Sequence, residues 1–413
     1  MIILSHPTGN ANVRAVLEAF ARKDALESYS TTLASHPQSL ISKVGLSSIY
    51  NELQRRSYSN QINPYIQDYP IPEIVRLLAT KLNLKFLTRH ETGKFSVDGI
   101  YRYLDKKVSE SLEKNKNSNV KGVYAYEDGA LETFRIAKKE GITTFYDLPI
   151  AYWETGSKLM KEESERYPLW SKTLAGGIKD SPEKLARKTK ELELADVVIG
   201  PGSFVMDSLP KWAQAKTRII SPFGSPIVKE MPDVQKNDKE PLRILFVGSM
   251  GQRKGLADLF EAFKLLGKTS QIKLIVLGSL REPLSFYKSR FSDFDYEPGR
   301  SHSQVLKLMR SCDVLCLPSI VEGRALVMQE AMSQGLPLLI TPNTGGADLV
   351  AQEGAGFLVP IRSPEKIAEK LEWFIKNRSE LPSMRREAHL RSQKYTWVNY
   401  GDTIAKNCLE IIG

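Results

Sequence analysis

Residues 315–346 read LCLPSIVEGRALVMQEAMSQGLPLLITPNTGG, and their pattern predicts the architecture of the chain. The apolar run at 313–318 predicts a buried strand, and the periodic apolar residues over 322–333 predict a helix. A second apolar run covers 336–341. Strand, helix and strand with short connections form one βαβ unit, which requires a parallel sheet. Because ligands bind beyond the carboxyl ends of such strands, we expect a site in the loops on that edge.

Two glutamates of this unit, Glu322 and Glu330, are candidate binding residues. Eight positions along a helix correspond to about 12 Å of rise and roughly 80° of rotation. The two carboxylates therefore cannot share one metal ion or one proton, but they can contact two parts of one extended ligand. The alternative is that Glu322 only favours the helix dipole and that Glu330 lies on a solvated face.

The composition of the 413-residue chain is ordinary for a globular protein, with 41% hydrophobic and 26% charged residues. No apolar run approaches the ~18 residues that a membrane span needs, and the opening MIILSHPTGN lacks the basic start of a signal peptide. We therefore expect a cytoplasmic protein. Its three cysteines, Cys312, Cys316 and Cys408, are interpreted as buried free thiols.

The formal net charge of +10 allows nucleic acid, anionic lipid or a phosphorylated ligand as a partner. The basic residues are scattered and no nucleic-acid motif accompanies them, so we expect no nucleic-acid binding. Peripheral contact with the inner face of a membrane stays open.

Strand and helix patterns alternate on both sides of a charged, proline-bearing stretch at 226–241, which we interpret as a linker. Repeated alternation of this kind indicates doubly wound parallel sheets. In the first half, residues 35–118 interrupt it with charged and aromatic segments, interpreted as a mainly helical insertion that ends in an exposed loop at 114–121. After the linker, the patterns predict strands at 242–247 and 272–277 and helices at 256–266 and 302–310.

Two glycine-containing loops at strand ends are candidate anion sites. The loop 248–255 leads into a predicted helix and offers backbone N–H groups together with Ser249, Arg253 and Lys254. It is not a Walker A loop, because the G-x-x-x-x-G-K-[ST] pattern is missing. In the first loop of the chain, HPTGN, Gly9 has no Cβ and lets a diphosphate approach the backbone. The alternative for the loop 248–255 is that these residues are merely solvated.

The segment from Glu322 to Glu330 resembles the E-x7-E signature of family-four retaining glycosyltransferases, which have the GT-B architecture. Its flanks agree, with PS before the first glutamate, EAM-x-x-GLP after the second and then T-x-x-GG. The loop 248–255 is similar to the G-R-x-x-x-x-K-G loop of that family, although Ser249 stands where the family has arginine. In the first half, ELELADVVIGPGSFVMDSL resembles the end of the family's N-terminal domain.

The resemblance implies an α/β fold, GT-B, in which two Rossmann-like domains face each other across a cleft. We expect an acceptor-side domain at 1–225, a linker at 226–241 and a nucleotide-sugar-binding domain at 242–394. A terminal helix at 395–413 is expected to cross back to the first domain.

The resemblance also implies transfer of a sugar from a nucleotide diphosphate sugar to a hydroxyl of a carbohydrate or lipid-linked acceptor, with retention of the anomeric configuration. Synthesis of cell-surface polysaccharide or glycoconjugate is the expected setting. No cofactor and no metal are expected, because protein cations neutralise the leaving diphosphate. The expected catalytic residues are Glu322 at the donor sugar and Arg253 and Lys254 at the diphosphate. The other expected donor contacts are Gly9, Asp147, Gly248, Ser249, Leu326, Val327 and, on the ribose, Glu330.

Two features depart from this pattern or compete with it. Many family members carry a sugar-contacting histidine after the strand predicted here at 142–147, but none of the five histidines falls there. Asp147 takes roughly that position, as a substitute hydrogen-bond acceptor. Asp293-Phe294-Asp295 spells D-x-D, a metal-diphosphate motif of a different glycosyltransferase architecture, which we interpret as coincidence.

Two other functions are compatible with the sequence. One is another GT-B-shaped enzyme, a sugar-nucleotide epimerase or a phosphorylase, although no pyridoxal lysine site is recognisable. The other is a degenerate glycosyltransferase that serves as a binding subunit, which Ser249 and the missing histidine favour. The intact Glu322, Lys254 and Glu330 favour a catalyst.

Overall fold

Two parallel β-sheets form the framework of the protein, as seen in a computed structural model. The structure describes residues 1–35, 56–114, 119–174, 180–228, 230–231, 240–267, 270–352 and 354–413. The strands of the first sheet are β1 (Ile2–Ser5), β2 (Leu26–Thr31), β3 (Ile66–Asp68), β4 (Gly122–Tyr126), β5 (Thr143–Asp147), β6 (Val197–Gly200) and β7 (Thr217–Ile220). Those of the second are β8 (Leu242–Val247), β9 (Ile272–Leu277), β10 (Asp295–Glu297), β11 (Val314–Leu317), β12 (Leu338–Ile340) and β13 (Gly356–Leu358).

Helices connect most of the successive strands as crossovers, as parallel pairing requires, and the last three helices follow the final strand. The helices are α1 (Ala11–Arg22), α2 (Ile71–Lys81), α3 (Lys85–Thr88), α4 (Val97–Lys114), α5 (Leu131–Lys139), α6 (Trp153–Arg166), α7 (Pro182–Leu194), α8 (Ser203–Asp207), α9 (Leu256–Leu266), α10 (Leu284–Lys288), α11 (His302–Arg310), α12 (Leu326–Ser333), α13 (Pro364–Lys376), α14 (Leu381–Ser392) and α15 (Trp397–Ile412). None of the described helices has both the length and the apolar character that a membrane span needs.

Both sheets have the strand order of a Rossmann fold. The first runs β3-β2-β1-β4-β5-β6-β7 and the second β10-β9-β8-β11-β12-β13. In each sheet the order reverses beside the first strand, so a crevice opens at the carboxyl ends there. The loops after β1 and β4 border the crevice of the first sheet, and those after β8 and β11 border that of the second. The predicted α/β fold of two Rossmann-like domains is confirmed.

The predicted bounds of β8, β9, α9 and α11 are those observed. The first half differs more from the sequence-based expectation. Residues 36–55 and 115–118 of the predicted insertion and its terminal loop lie outside the described residues, as do 229 and 232–239 of the predicted linker. The described part of the insertion is not only helical, because β3 adds an edge strand beside β2.

Alternating side chains of the first sheet fill two separate cores. Ile2 and Leu4 contribute to the core beneath α1, whereas Ile3 contributes to the core beneath α4 and α5. The first of these cores also contains residues of the terminal helix α15, among them Ile404 and Cys408. The predicted crossing of this helix back to the first domain is therefore confirmed. All three cysteines are free and buried, as interpreted from the sequence.

Asp147, the predicted sugar contact, is sealed inside the first domain. It ends β5 with 1% of its surface exposed, and the Tyr124 hydroxyl donates a hydrogen bond of 2.5 Å to Oδ2. Burial raises the pKa of the Asp147 carboxyl to about 7. A donor sugar in the crevice cannot reach this carboxylate, so the prediction that Asp147 replaces the missing histidine is wrong.

Because the pKa of Asp147 is higher in the folded chain than in the unfolded chain, its ionisation destabilises the fold as pH rises through about 7. Asp147→Asn removes the charge and keeps the shape. We expect it to raise Tm by a few degrees at pH 8 and to lose most of that advantage near pH 4, measured by thermal unfolding. Asp295→Asn, at an exposed ion pair, is the control and should shift Tm little at either pH. A fall in kcat without any change in the pH dependence of Tm would reinstate Asp147 as a substrate contact.

Candidate active site

A cationic turn follows β8 at the carboxyl edge of the second sheet. The turn comprises Gln252–Lys254 and ends at Gly255, whose φ of 73° is the left-handed conformation that glycine favours. A Cβ at Gly255 would also collide with the carbonyl of Pro318 at the end of β11. The turn is thus packed directly against the neighbouring strand end. Its two basic side chains, Arg253 and Lys254, are brought to the crevice where the sheet order reverses.

Both basic side chains of the cationic turn bind one carboxylate oxygen. The Lys254 Nζ atom lies 2.6 Å from Glu322 Oε1, and Arg253 Nη1 lies 2.5 Å from the same atom. Lys254 and Glu322 are each about one-tenth exposed at the side chain. Burial lowers the pKa of the Lys254 ammonium, and the Glu322 carboxylate acts in the opposite direction. The structure therefore brings together the three residues predicted as catalytic.

The loop that carries Glu322 is fixed by backbone contacts. The Ile320 N–H donates to the Arg253 carbonyl at 2.9 Å, and Arg253 Nη1 donates to the Val321 carbonyl at 2.9 Å. A Cβ at Gly323 would collide with the carbonyl of Pro149 in the first domain. This close approach requires glycine at position 323, and it fixes the distance between the two domains at this point.

Helix α12 begins at Leu326, and Glu322 lies four residues before it. Glu322 therefore lies in the loop that enters the helix, as expected, but the predicted helical periodicity from 322 extends four residues too far, and helical geometry does not relate the two glutamates. The cause is the turn at Gly323, after which the backbone of Ala325 is extended.

Glu330 lies on α12, separate from the cluster at Glu322. Its Oε1 atom is 3.1 Å from His302 Nε2, the first residue of α11. The Glu330 side chain is 22% exposed and the His302 side chain 59% exposed, so both are accessible to a ligand. His302 was not among the predicted site residues, and its only signal in the sequence is its position at a helix start.

The remaining predicted donor contacts differ in their accessibility. Leu326 is 39% exposed and faces the cleft, whereas Val327 packs against the core of the second domain. Gly248 and Ser249 lie half-buried at the end of β8. The Gly9 N–H already donates to His6 Nδ1 at 2.9 Å, and the Tyr58 hydroxyl fills the space where a Cβ of Gly9 would lie, so the predicted approach of a diphosphate to this backbone is blocked.

His6 organises the first loop of the chain. Its Nδ1 atom accepts hydrogen bonds from the backbone N–H groups of Thr8 and Gly9, at 3.1 and 2.9 Å. Burial lowers the pKa of the His6 imidazole to about 3, so the ring is neutral and Nδ1 serves as the acceptor. His6 is therefore a structural residue that gives the loop its shape.

A cavity of about 510 Å³ lies between the first domain and α12. Leu326 lines it from the second domain and Trp397 from the terminal helix. The first domain lines most of it, with polar groups after β1, on α4, after β4 and on α7. The polar lining residues are His6, Asn10, Asn12, His90, Asp98, Tyr101, Tyr126, Glu127, Asp128 and Lys184.

The cations around this cavity are held in ion pairs. Lys184 Nζ lies 2.8 Å from Asp98 and 3.3 Å from Asp180, and Arg187 lies 2.8 Å from Asp128. Lys188 lies 3.3 Å from Glu127. Carboxyl groups outnumber cations in this network. Although the chain as a whole is basic, the wall of the cavity is not.

Among the described residues, one set of side chains, His90, Glu91 and Asp180, has metal-ligand spacing. Lys184 lies 3.3 Å from Asp180, so an ammonium already occupies the position of a counter-ion. Asp295 of the D-x-D sequence begins β10 and pairs with Lys273 at 2.6 Å. It lies at the opposite edge of the second sheet from Glu322. Neither group adjoins the cationic turn.

Arg324 and the cavity carboxylates were not predicted. Arg324 is 4% exposed and binds both oxygens of Asp348, at 2.7 and 3.0 Å, together with the Gly345 carbonyl. It ties the Glu322 loop to the segment after β12. Asp128 follows β4, so the rule that sites lie at carboxyl strand ends was sufficient to find it. Asp98 lies on α4 and has no such signal.

Residues 228–391 match the family described as glycosyl transferases group 1. The capsular polysaccharide biosynthesis glycosyltransferase CapM of Staphylococcus aureus is 30% identical over 139 residues, which are 32% of this chain and 37% of CapM. The chain spans 35% to 56% of the length of the curated relatives it matches.

Solved structures extend the likeness to the whole chain. Sucrose-phosphate synthase from Thermosynechococcus elongatus has a TM-score of 0.65 at 15% identity, covering 99% of this chain and 98% of that one. HepE from Anabaena, solved in complex with UDP, has a TM-score of 0.60 at 13% identity, covering 99% of both chains. The chain therefore has the GT-B fold of two facing Rossmann-like domains, and its residues 228–391 match the glycosyl transferases group 1 family.

Proposed function

We propose that this protein transfers a sugar from a nucleotide diphosphate sugar to an acceptor hydroxyl, with retention of configuration and without a metal ion. The observation that carries the proposal is the convergence of Arg253 and Lys254 on Glu322 at the carboxyl edge of the second sheet. HepE, a structural neighbour, has been solved with UDP and with UDP-glucose, which supports this donor class. CapM is named for capsular polysaccharide biosynthesis, which supports a similar setting for this chain.

In this mechanism the donor diphosphate competes with Glu322 for the two cations. Loss of the sugar leaves extra negative charge on the diphosphate, and Arg253 and Lys254 stabilise that charge from fixed positions. Glu322, released from the cations, accepts hydrogen bonds from the sugar hydroxyls and orients the ring. Glu330, beside His302, binds the ribose hydroxyls at the other end of the donor.

The cavity between the domains is proposed as the acceptor site. Its carboxylates, including Asp98 and Asp128, can accept hydrogen bonds from several hydroxyl groups. Tyr101 and Trp397 supply aromatic surface for the apolar face of a sugar ring. Because carboxylates outnumber cations around it, the cavity favours an uncharged carbohydrate over a phosphorylated one.

An apolar surface of α2 and α3 is proposed to contact a membrane beside this cavity. Ile71, Leu82 and Phe86 are 73%, 66% and 67% exposed. Lys81 and Lys85 are exposed next to them, so the surface suits a bilayer that contains anionic lipid. Such contact would bring the head of a lipid-linked acceptor close to the cavity.

Nucleotide release from a panel of UDP-, GDP- and ADP-sugars, assayed in EDTA with neutral sugars as acceptors, tests the proposed reaction. We expect release of one nucleotide, formation of a glycoside and no loss of activity in the chelator, because protein cations act on the diphosphate. Activity that is abolished by EDTA and restored by Mn²⁺ would contradict the metal-free mechanism. Epimerised donor without a glycoside would indicate an epimerase, and binding without turnover a degenerate subunit.

Substitution of Glu330 and of Glu322 is expected to change different kinetic constants. Glu330→Gln should raise the nucleotide Kd and the donor KM while changing kcat little, because ribose contacts are similar in the ground state and the transition state. Glu322→Gln should lower kcat by ~10²–10³-fold and leave the nucleotide Kd unchanged or lower, because Arg253 and Lys254 are freed. Calorimetry and steady-state kinetics measure both effects. Glu261→Gln, at an exposed ion pair on α9, is the control. If Glu322→Gln lost nucleotide binding while Glu330→Gln kept it, the donor would have to bind in the opposite orientation to the one proposed.

Vesicle sedimentation tests the membrane surface. The wild type should sediment with phosphatidylglycerol vesicles and much less with phosphatidylcholine vesicles, and Leu82→Glu should reduce the bound fraction severalfold. Leu265→Glu is the matched control, since Leu265 is 59% exposed in the second domain. Equal losses in the two variants, or no sedimentation of the wild type, would contradict the proposal.

A further inference from the structure

Residues 153–174, which we call the strap, lie in the first half of the chain and contact both domains. At the start of the strap, the Thr155 hydroxyl donates to the Ser208 carbonyl of the first domain at 2.8 Å. Near its end, Trp170 is 5% exposed within the core of the second domain. Its ring lies 5.4 Å from the ring of Phe286 and 5.8 Å from that of Phe260. The strap thus leaves the first sheet and becomes part of the packing of the second domain.

The strap contacts the cationic turn through Gln252, the residue before Arg253. The Gln252 backbone N–H donates to Thr173 Oγ1 at 3.1 Å. Its side-chain Nε2 donates to Glu163 Oε2 at 2.6 Å and to Asp258 Oδ2 at 2.8 Å. Its Oε1 accepts from the Ala257 N–H at 2.9 Å. Both amide hydrogens and the amide oxygen are therefore used, which allows one orientation of the side chain.

These groups are fully buried, so their pairing matters energetically. Glu163, Gln252 and Asp258 each have 0% of their surface exposed. Arg362 binds Glu163, and Arg166 lies 2.7 Å from Asp258, so each buried carboxylate has a cation. Removing one partner from such a network leaves a buried polar group unpaired, which is strongly unfavourable. The network therefore has a single well-defined arrangement.

We propose that the strap positions the diphosphate-binding cations: Glu163 and Thr173, through Gln252, hold Arg253 and Lys254 where the donor diphosphate needs them. Glu163 and Thr173 are positioning residues, because they act through Gln252 and do not contact the donor. The inference rests on the proposed function. The inference goes beyond that function because it makes the donor site of the second domain depend on the strap, which begins in the first domain.

Neighbouring glutamates provide a matched test. Glu163 and Glu162 both bind Arg362, the latter at 2.8 Å, but only Glu163 contacts Gln252. Glu163→Gln should lower kcat with the preferred donor by 10–100-fold and raise the Kd of the bound nucleotide diphosphate severalfold. Glu162→Gln should change both by less than about twofold. The probes are UDP, GDP and ADP, titrated by calorimetry, and the acceptor KM should not change in either variant.

Thr173→Val is the second variant, because it removes the hydroxyl that accepts from Gln252 while nearly keeping the side-chain shape. It should change kcat and nucleotide Kd in the same direction as Glu163→Gln, with circular dichroism showing a folded chain. It also replaces Glu163→Gln if that variant does not fold. The inference is overturned if folded variants of Glu163 or Thr173 bind and turn over donor like Glu162→Gln. If the wild type itself binds no nucleotide diphosphate, the proposed function fails instead, and the inference with it.

Discussion

The ion pairs of Glu322 with Arg253 and Lys254 are the interaction on which the candidate active site depends. One carboxylate oxygen satisfies two cations at 2.5 and 2.6 Å, in a place where water has little access. Without a diphosphate, the two cations would otherwise repel each other and the burial of Lys254 would favour its neutral form. Glu322 thus keeps both charges in place until a second anion competes for them. In the proposed mechanism the same carboxylate then accepts hydrogen bonds from the sugar hydroxyls, so one residue has two successive partners.

The relative position of the two domains is set by close backbone contacts as well as by side chains. Gly323 approaches the Pro149 carbonyl so closely that no side chain fits, and the Ala151 N–H donates to the Glu322 carbonyl at 3.3 Å. Ala151 and Met160 of the first domain share an apolar cluster with Ile320 and Val321 of the second. Glu322 therefore lies at the domain junction itself. Any movement between the domains must change the surroundings of this residue.

Local charge around the sites differs from the charge of the whole chain. The net charge of +10 would favour anionic partners everywhere if it were spread evenly. In the structure, two cations share the single Glu322 carboxylate at the turn after β8, whereas carboxylates outnumber cations beside the first-domain cavity. Such a division suits an anionic donor on one side of the cleft and an uncharged acceptor on the other. Composition alone cannot show it, because it depends on which charges become neighbours.

Local patterns in the sequence were enough to predict the alternation of strands and helices, the parallel sheets and the position of Glu322, Arg253 and Lys254 at one sheet edge. They were enough because apolar periodicity and strand-end loops are local properties. The tertiary structure decided what depended on distant contacts. Asp147 was predicted in the cleft, but it is buried beneath Tyr124 because the direction of a strand side chain depends on the whole sheet. No element was predicted for 148–181, where the structure forms α6 with contacts to both domains. The proposed positioning role of Gln252 depends on the fold, because its amide donates to Glu163 and Asp258, which lie 89 and 6 residues away in sequence.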